Sequence, residues 1–124
     1  MINLALHDAP IHLALVLALL MGLDAIVAPI RVTRQFDILE LTAAGRNEVR
    51  SVYGGFGIAM AAMFALALWS PELRSGICLT TAAALAGMAG GRVLSALMDR
   101  QIGRTPLFYL CLEAFLAGLL FYSA

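Results

Sequence analysis

Four stretches of this chain, residues 11–30, 51–70, 76–98 and 105–123, are apolar almost without interruption. A hydrocarbon layer about 30 Å thick takes roughly 20 helical residues to cross, and inside it every backbone N–H and C=O must find a partner within the protein. These stretches are therefore predicted to be transmembrane helices. Of the 124 residues, 62% are hydrophobic and 13% charged, whereas a soluble domain is roughly 45–50% apolar. Four spans and their connections use up the whole length. The expected fold is all-α: a single domain, residues 1–124, forming an integral membrane bundle of four transmembrane helices with no extramembrane domain.

The first span lies where a cleaved signal peptide would. Residues 1–10 hold no Lys or Arg and no small-residue cleavage site follows the run, so the span is expected to stay in the mature protein. For the second span Asn47 is the expected N-cap, with Glu48 in the first turn and Ser70-Pro71 as the stop. The fourth is expected to open at Thr105-Pro106, a cap followed by proline at the first helical position. Residues 31–50 form the only long connection. Val32, Phe36 and Leu39 share one helical face there, which suggests a helix lying in the membrane interface, although Ile38 and Leu41 interrupt the stripe.

Eight arginines and no lysine balance eight acids, a net charge of zero that offers no basic surface to nucleic acid. Their placement sets the orientation. The first and third connections carry Arg31, Arg34, Arg46, Arg50, Arg100 and Arg104, and the opposite side carries Arg74 alone. By the positive-inside rule both termini are expected on the periplasmic or outer side. Tyr53 and Tyr109 then fall near the inner interface, and Trp69 and Tyr122 near the outer one, where aromatic belts form. Cys78 lies near the outer end of the third span and Cys111 near the inner end of the fourth. That puts them roughly 20 Å or more apart at 1.5 Å per residue, so both are read as small buried apolar residues rather than a disulfide.

Three ionisable residues fall inside the spans: Asp24, seven residues before Arg31; Arg92, seven before Asp99; and Glu113, seven after Pro106. Each lies roughly 10 Å from the cytoplasmic end of its helix, so all three share one layer. A lone charge at such depth costs at least about 2.5–3.5 kcal/mol, which makes partners in that layer a physical need. The third and fourth spans are joined by a short turn and must be antiparallel neighbours. An Arg92–Glu113 pair, with the guanidinium gripping both carboxylate oxygens, is the strongest expectation. If Asp24 joins it, two carboxylates share one cation and repulsion favours protonating one of them. Tyr53 is expected close to this cluster. The cluster is read either as a fastening between helices or as a site for a ligand, proton or substrate.

Small residues complete the pattern. Gly87 and Gly91 make a GxxxG step in the third span, and Gly54 and Gly55, followed by Gly57, open the second. Such residues let helix backbones approach closely, and packing within one chain is expected ahead of a dimer face. His7 and His12 are five apart and share no helical face, so no metal site is implied, and neither His can join a Ser or an acid of the cluster in a nucleophilic triad.

Asn47-Glu-Val-Arg50 followed by Ser51-Val-Tyr-Gly-Gly-Phe56, then Gly91-Arg92, then Glu113, resembles a family of small bacterial four-helix membrane proteins known as a domain of unknown function. The resemblance runs from about Ala44 to the C-terminus and leaves the first span and residues 31–43 without a matching motif. It implies a four-helix bundle in a bacterial inner membrane, and no activity or cofactor. Two functions compete on this reading. One is a non-enzymatic accessory subunit of a larger membrane complex, or a binder of a lipid-like or quinone-like molecule. The other is a proton-coupled transporter acting as a homodimer, with Glu113 or Asp24 as the coupled carboxylate. An enzyme acting on lipid would need one of those carboxyls tuned toward neutrality.

Overall fold

The computed structural model describes residues 2–124, with side chains described from Leu6 onward. The order of elements is α1 (Ile2–Val27), α2 (Pro29–Arg34), α3 (Ala43–Val49), a π-helical turn (Arg50–Gly55), α4 (Phe56–Trp69), α5 (Pro71–Asp99) and α6 (Arg104–Ser123), with no strand among the described residues. Four stretches of helix are long and apolar enough to cross a membrane: Leu6–Val27, Ala43–Trp69, Pro71–Asp99 and Arg104–Ser123. Burial runs opposite to that of a soluble protein. Large side chains such as Val27, Leu97, Met98 and Trp69 point outward, while the buried positions are dominated by alanine, among them Ala25, Ala67, Ala82 and Ala117. Lipid tails give apolar helices no reason to hide from them, so packing in a membrane depends on close backbone approach between small residues.

The described chain forms two compact units, one of the residues up to Ile11 together with Leu66–Ala124, the other of His12–Ala65. The boundary falls inside α1 and inside α4.

In the His12–Ala65 unit the first span stops at Val27, three residues short of the predicted end. Pro29 has no N–H to give the helix, and Ala28 before it leaves helical geometry at φ −133°, ψ 65°. The carbonyl of Ile26, left near this broken end, accepts from Nε of Arg50 at 3.0 Å, so an arginine caps the C-terminus of α1. The predicted interfacial helix does not form as a continuous stripe. Val32 turns inward to join Ala25 and Val49, with Leu41 packed on them, while Leu39 stays exposed. After α2 the hydroxyl of Thr33 donates to the carbonyl of Ile38 at 3.1 Å, and Asp37 takes φ 63°, a left-handed turn that Asp tolerates better than most residues. The second span begins at Ala43 rather than 51. Its N-cap is Thr42, whose hydroxyl accepts from the N–H of Gly45 at 3.1 Å, so Asn47 and Glu48 lie within α3 instead of capping it.

In the other unit α5 starts at Pro71 behind the N-cap Ser70, earlier than the predicted 76. The cap of α6 is Gly103 and its first residue Arg104, which moves Thr105 and Pro106 inside the first turn. Between them Arg100 ends α5 at φ 55°, a conformation that glycine adopts freely and a residue with a Cβ does not. Arg100→Gly is therefore expected to raise stability by roughly 0.5–1 kcal/mol, measured by denaturant titration in detergent.

Candidate functional site

Counting back from the α5–α6 turn puts Arg92 and Glu113 at the same depth, and their side chains meet. Nε of Arg92 donates to Oε2 of Glu113 and Nη2 to Oε1, each at 2.8 Å, the two-pronged geometry in which a guanidinium matches a carboxylate. One helical turn before Glu113, Tyr109 lies with its ring centroid 5.4 Å from the guanidinium carbon, within reach of a cation–π attraction. Phe108 sets its ring edge-on to Tyr109 at 5.4 Å. Exposure across the pair is unequal: Glu113 is 4% exposed, whereas the side chain of Arg92 is 23% exposed. The carboxylate is enclosed by protein and the arginine presents the accessible side.

Asp24, in the His12–Ala65 unit, has an arginine of its own. Its Oδ1 lies 2.8 Å from Nη1 of Arg31, with 70% of the Arg31 side chain exposed. Within its own unit Asp24 thus has a cation in contact with it. Arg31 reaches back because the chain turns at Ala28-Pro29, immediately beyond the end of α1. Tyr53 sits in the π-helical turn and is exposed. A single π turn inside an α-helix inserts one extra residue into the ladder and often accompanies function.

The glycines divide sharply. A Cβ on Gly54 would lie 2.7 Å from Cδ1 of Ile26, and one on Gly57 2.9 Å from both the carbonyl oxygen of Ala18 and Cα of Gly22. Gly22 completes the contact, since a Cβ there would sit 2.8 Å from the backbone nitrogen of Ile58. Gly22, Gly54 and Gly57 therefore make the close crossing of α1 with the second span. Gly22 is the only glycine of the first span and is the signal that sequence reasoning passed over. Gly55 has only the Arg50 carbonyl nearby, at 3.8 Å. A Cβ on Gly87, Gly90 or Gly91 would meet nothing described within 4 Å. Among the described residues of its own unit, the GxxxG step makes no close backbone contact. Cys111, expected to be buried, is exposed, whereas Cys78 is buried.

The model of the family described as Domain of unknown function (DUF4345) matches residues 9–124. The chain belongs to that family. The DUF4345 match extends through the first span and residues 31–43, so Asp24 and Arg31 fall inside the family domain along with Arg92 and Glu113. No curated protein and no solved structure matches the chain.

Just ahead of the DUF4345 match, α1 supplies half of a second polar group that the sequence did not reveal. Nη2 of Arg74 contacts Oδ1 of Asp8, and Nε of Arg74 donates to the carbonyl of Ala67 at 3.3 Å. His7 stacks on Tyr122 with ring centroids 4.6 Å apart and planes 4° from parallel. Residues from α1, α4, α5 and α6 are thereby tied together about 27 Å along α5 from Arg92, at 1.5 Å per residue. The first span was expected to begin at residue 11, whereas α1 runs helically through Pro10. Arg74→Ala and Asp8→Ala are each expected to cost about 1–3 kcal/mol, with the double variant losing less than their sum, as read by a double-mutant cycle in detergent.

Proposed function

We propose that this chain is a non-enzymatic protein of the bacterial inner membrane, with both termini on the periplasmic side. On this reading the Arg92–Glu113 pair receives the polar group of a lipid-like or quinone-like molecule, within the protein alone or with the chain as an accessory subunit of a larger complex. The carrying observation is the unequal exposure of the pair. A clasp serving only to fasten α5 to α6 gains by enclosing both partners, yet here Glu113 is 4% exposed and the side chain of Arg92 23% exposed. Intramembrane ions are costly, and one left accessible from the membrane is the default place to look for a ligand. The orientation rests on the six arginines of the first and third connections against Arg74 alone opposite.

The test is native mass spectrometry of the purified protein and of the Arg92→Ala, Glu113→Ala double variant. A defined bound mass or partner on the wild type that the folded variant loses is the expected result; identical bare spectra would remove the reading.

The open face of α5 at Gly87, Gly90 and Gly91 favours a second reading, a proton-coupled transporter in which two copies meet there. Its signature would be proton-driven uptake in proteoliposomes that Glu113→Gln abolishes; uptake that survives this change would exclude Glu113 as the coupled group.

A further inference from the structure

The C-terminal end of α1 gathers three arginines that take no part in the Arg92 site, all of them within the His12–Ala65 unit. The chain turns at Ala28-Pro29, and α2 then sets Arg31 and Arg34 three residues apart, neighbours on one helical face. Val32, next to Arg31, and Val49, next to Arg50, both pack on Ala25. Arg31 and Arg50 flank that contact, and each reaches α1: Nη1 of Arg31 lies 2.8 Å from Oδ1 of Asp24, and Nε of Arg50 donates to the carbonyl of Ile26 at 3.0 Å. The three cations are thus collected where the first span ends, at Val27.

Their charges are met unequally. Asp24 neutralises Arg31. The carbonyl that holds Arg50 orients the guanidinium without cancelling its charge. Arg34 has no side-chain partner among the described residues. Asp37, Glu40 and Glu48, the acids of the same connection, make no ion pair with any of the three among the described residues. Arg34 and Arg50 are both exposed, so two planar donor forks stand open with their charge unmatched by contact. Such a fork fits phosphate oxygens two at a time.

The neighbouring surface is apolar. Val27, beside the carbonyl that Arg50 holds, is 77% exposed, and Val52, two residues beyond Arg50, is 50% exposed. The end of a span is also where hydrocarbon gives way to the polar layer of the bilayer, so a lipid phosphate reaches these arginines without entering the core. A zwitterionic lipid brings its own cation along with the phosphate and leaves the two arginines uncompensated. An anionic one supplies the missing charge.

We infer that the C-terminal end of α1 is a binding surface for anionic phospholipid, with Arg34 and Arg50 donating to the head group and acyl chains lying along Val27 and Val52. Arg31, already held by Asp24, shapes the rim of this surface and adds no net charge to it.

The experiment is native mass spectrometry of the full chain in detergent, titrated separately with phosphatidylglycerol and phosphatidylcholine. The wild type is compared with Arg34→Gln, with Arg34→Gln, Arg50→Gln, and with Arg100→Gln, Arg104→Gln, a control that removes two arginines at the α5–α6 turn. The expected result is that phosphatidylglycerol binds the wild type more tightly than phosphatidylcholine does. Each change at Arg34 or Arg50 should weaken it about fivefold, the equivalent of roughly 1 kcal/mol, and the control should change it little. Arg34→Gln breaks no contact among the described residues, so it decides the matter even if the double variant unfolds. Equal binding of the two lipids, or an equal loss in the control, would overturn the inference, the latter by showing that only total charge counts. Displacement of phosphatidylglycerol by equimolar inorganic phosphate would overturn it too, since the arginines would then take the anion without the lipid. Arg92 is unchanged in every variant, so failure here leaves the proposed ligand site untouched.

Discussion

Glu113→Ala is expected to be the most damaging single change in the protein, at a cost of about 3–5 kcal/mol. It removes the carboxylate that grips Arg92 from the facing helix, and a guanidinium cannot shed its charge at any accessible pH. Arg92→Ala should be milder, because an orphaned carboxyl can take up a proton and become neutral, which an orphaned arginine cannot match. The double change Arg92→Met, Glu113→Leu should fall much closer to wild type than Glu113→Ala does, since replacing a buried ion pair with apolar groups of similar volume is often neutral or stabilising. Unfolding in graded detergent denaturant, followed by circular dichroism, reads all three. Equal damage from the two single variants would show that the interaction is not controlled by the uncompensated arginine.

The second large effect lies at the α1 crossing. Gly57→Leu places a side chain where even a Cβ would be 2.9 Å from the Ala18 carbonyl oxygen and from Cα of Gly22. Both neighbours are backbone and cannot swing aside, so the helices must separate. The smaller Gly57→Ala is expected to cost about 1–3 kcal/mol by overpacking, and Gly57→Leu more. The same alanine change at Gly87 should go the other way. Nothing described lies within 4 Å of its Cβ position, so replacing glycine in a helix interior should gain roughly 0.5–1 kcal/mol. Opposite signs at two glycines of similar sequence context are the outcome to look for in the same denaturation assay. A loss at Gly87 matching that at Gly57 would mean that the open face of α5 is covered in the folded protein.

What was legible in the sequence follows from which forces act locally. Twenty-residue apolar runs must be helices in lipid, so the helical class and the approximate spans could be read directly. Arg92 and Glu113 were legible because a short turn makes α5 and α6 neighbours, and counting residues from it fixes the relative depth of the two. The Asp24–Arg31 contact was not, because it depends on a chain break at Ala28-Pro29 that folds Arg31 back toward α1. Nor was Asp8–Arg74, since the first span was taken to begin at residue 11 and α1 in fact extends through Pro10 to residues before it. Helix starts were misplaced wherever several capping residues were available: Thr42 holds the cap that Asn47 was expected to hold, and Gly103 the one assigned to Thr105. Spacing alone also cannot say which face of a helix is packed. Gly87 and Gly91 have the ideal small-residue step and are exposed, while Gly22, with no such partner in its own helix, is in close backbone contact with the second span.

The reciprocal exchange Arg92→Glu, Glu113→Arg separates a site at this pair from a mere fastening. The exchange keeps an arginine–glutamate pair between α5 and α6 but moves the accessible cation to the enclosed position on α6. Native mass spectrometry of the wild type and the exchanged protein, with a denaturation curve for each, is the most direct measurement. The exchanged protein is expected to unfold much as the wild type does but to lose the mass the wild type carries. An exchanged protein that is equally stable and still carries that mass, or a wild type that carries none, would contradict it.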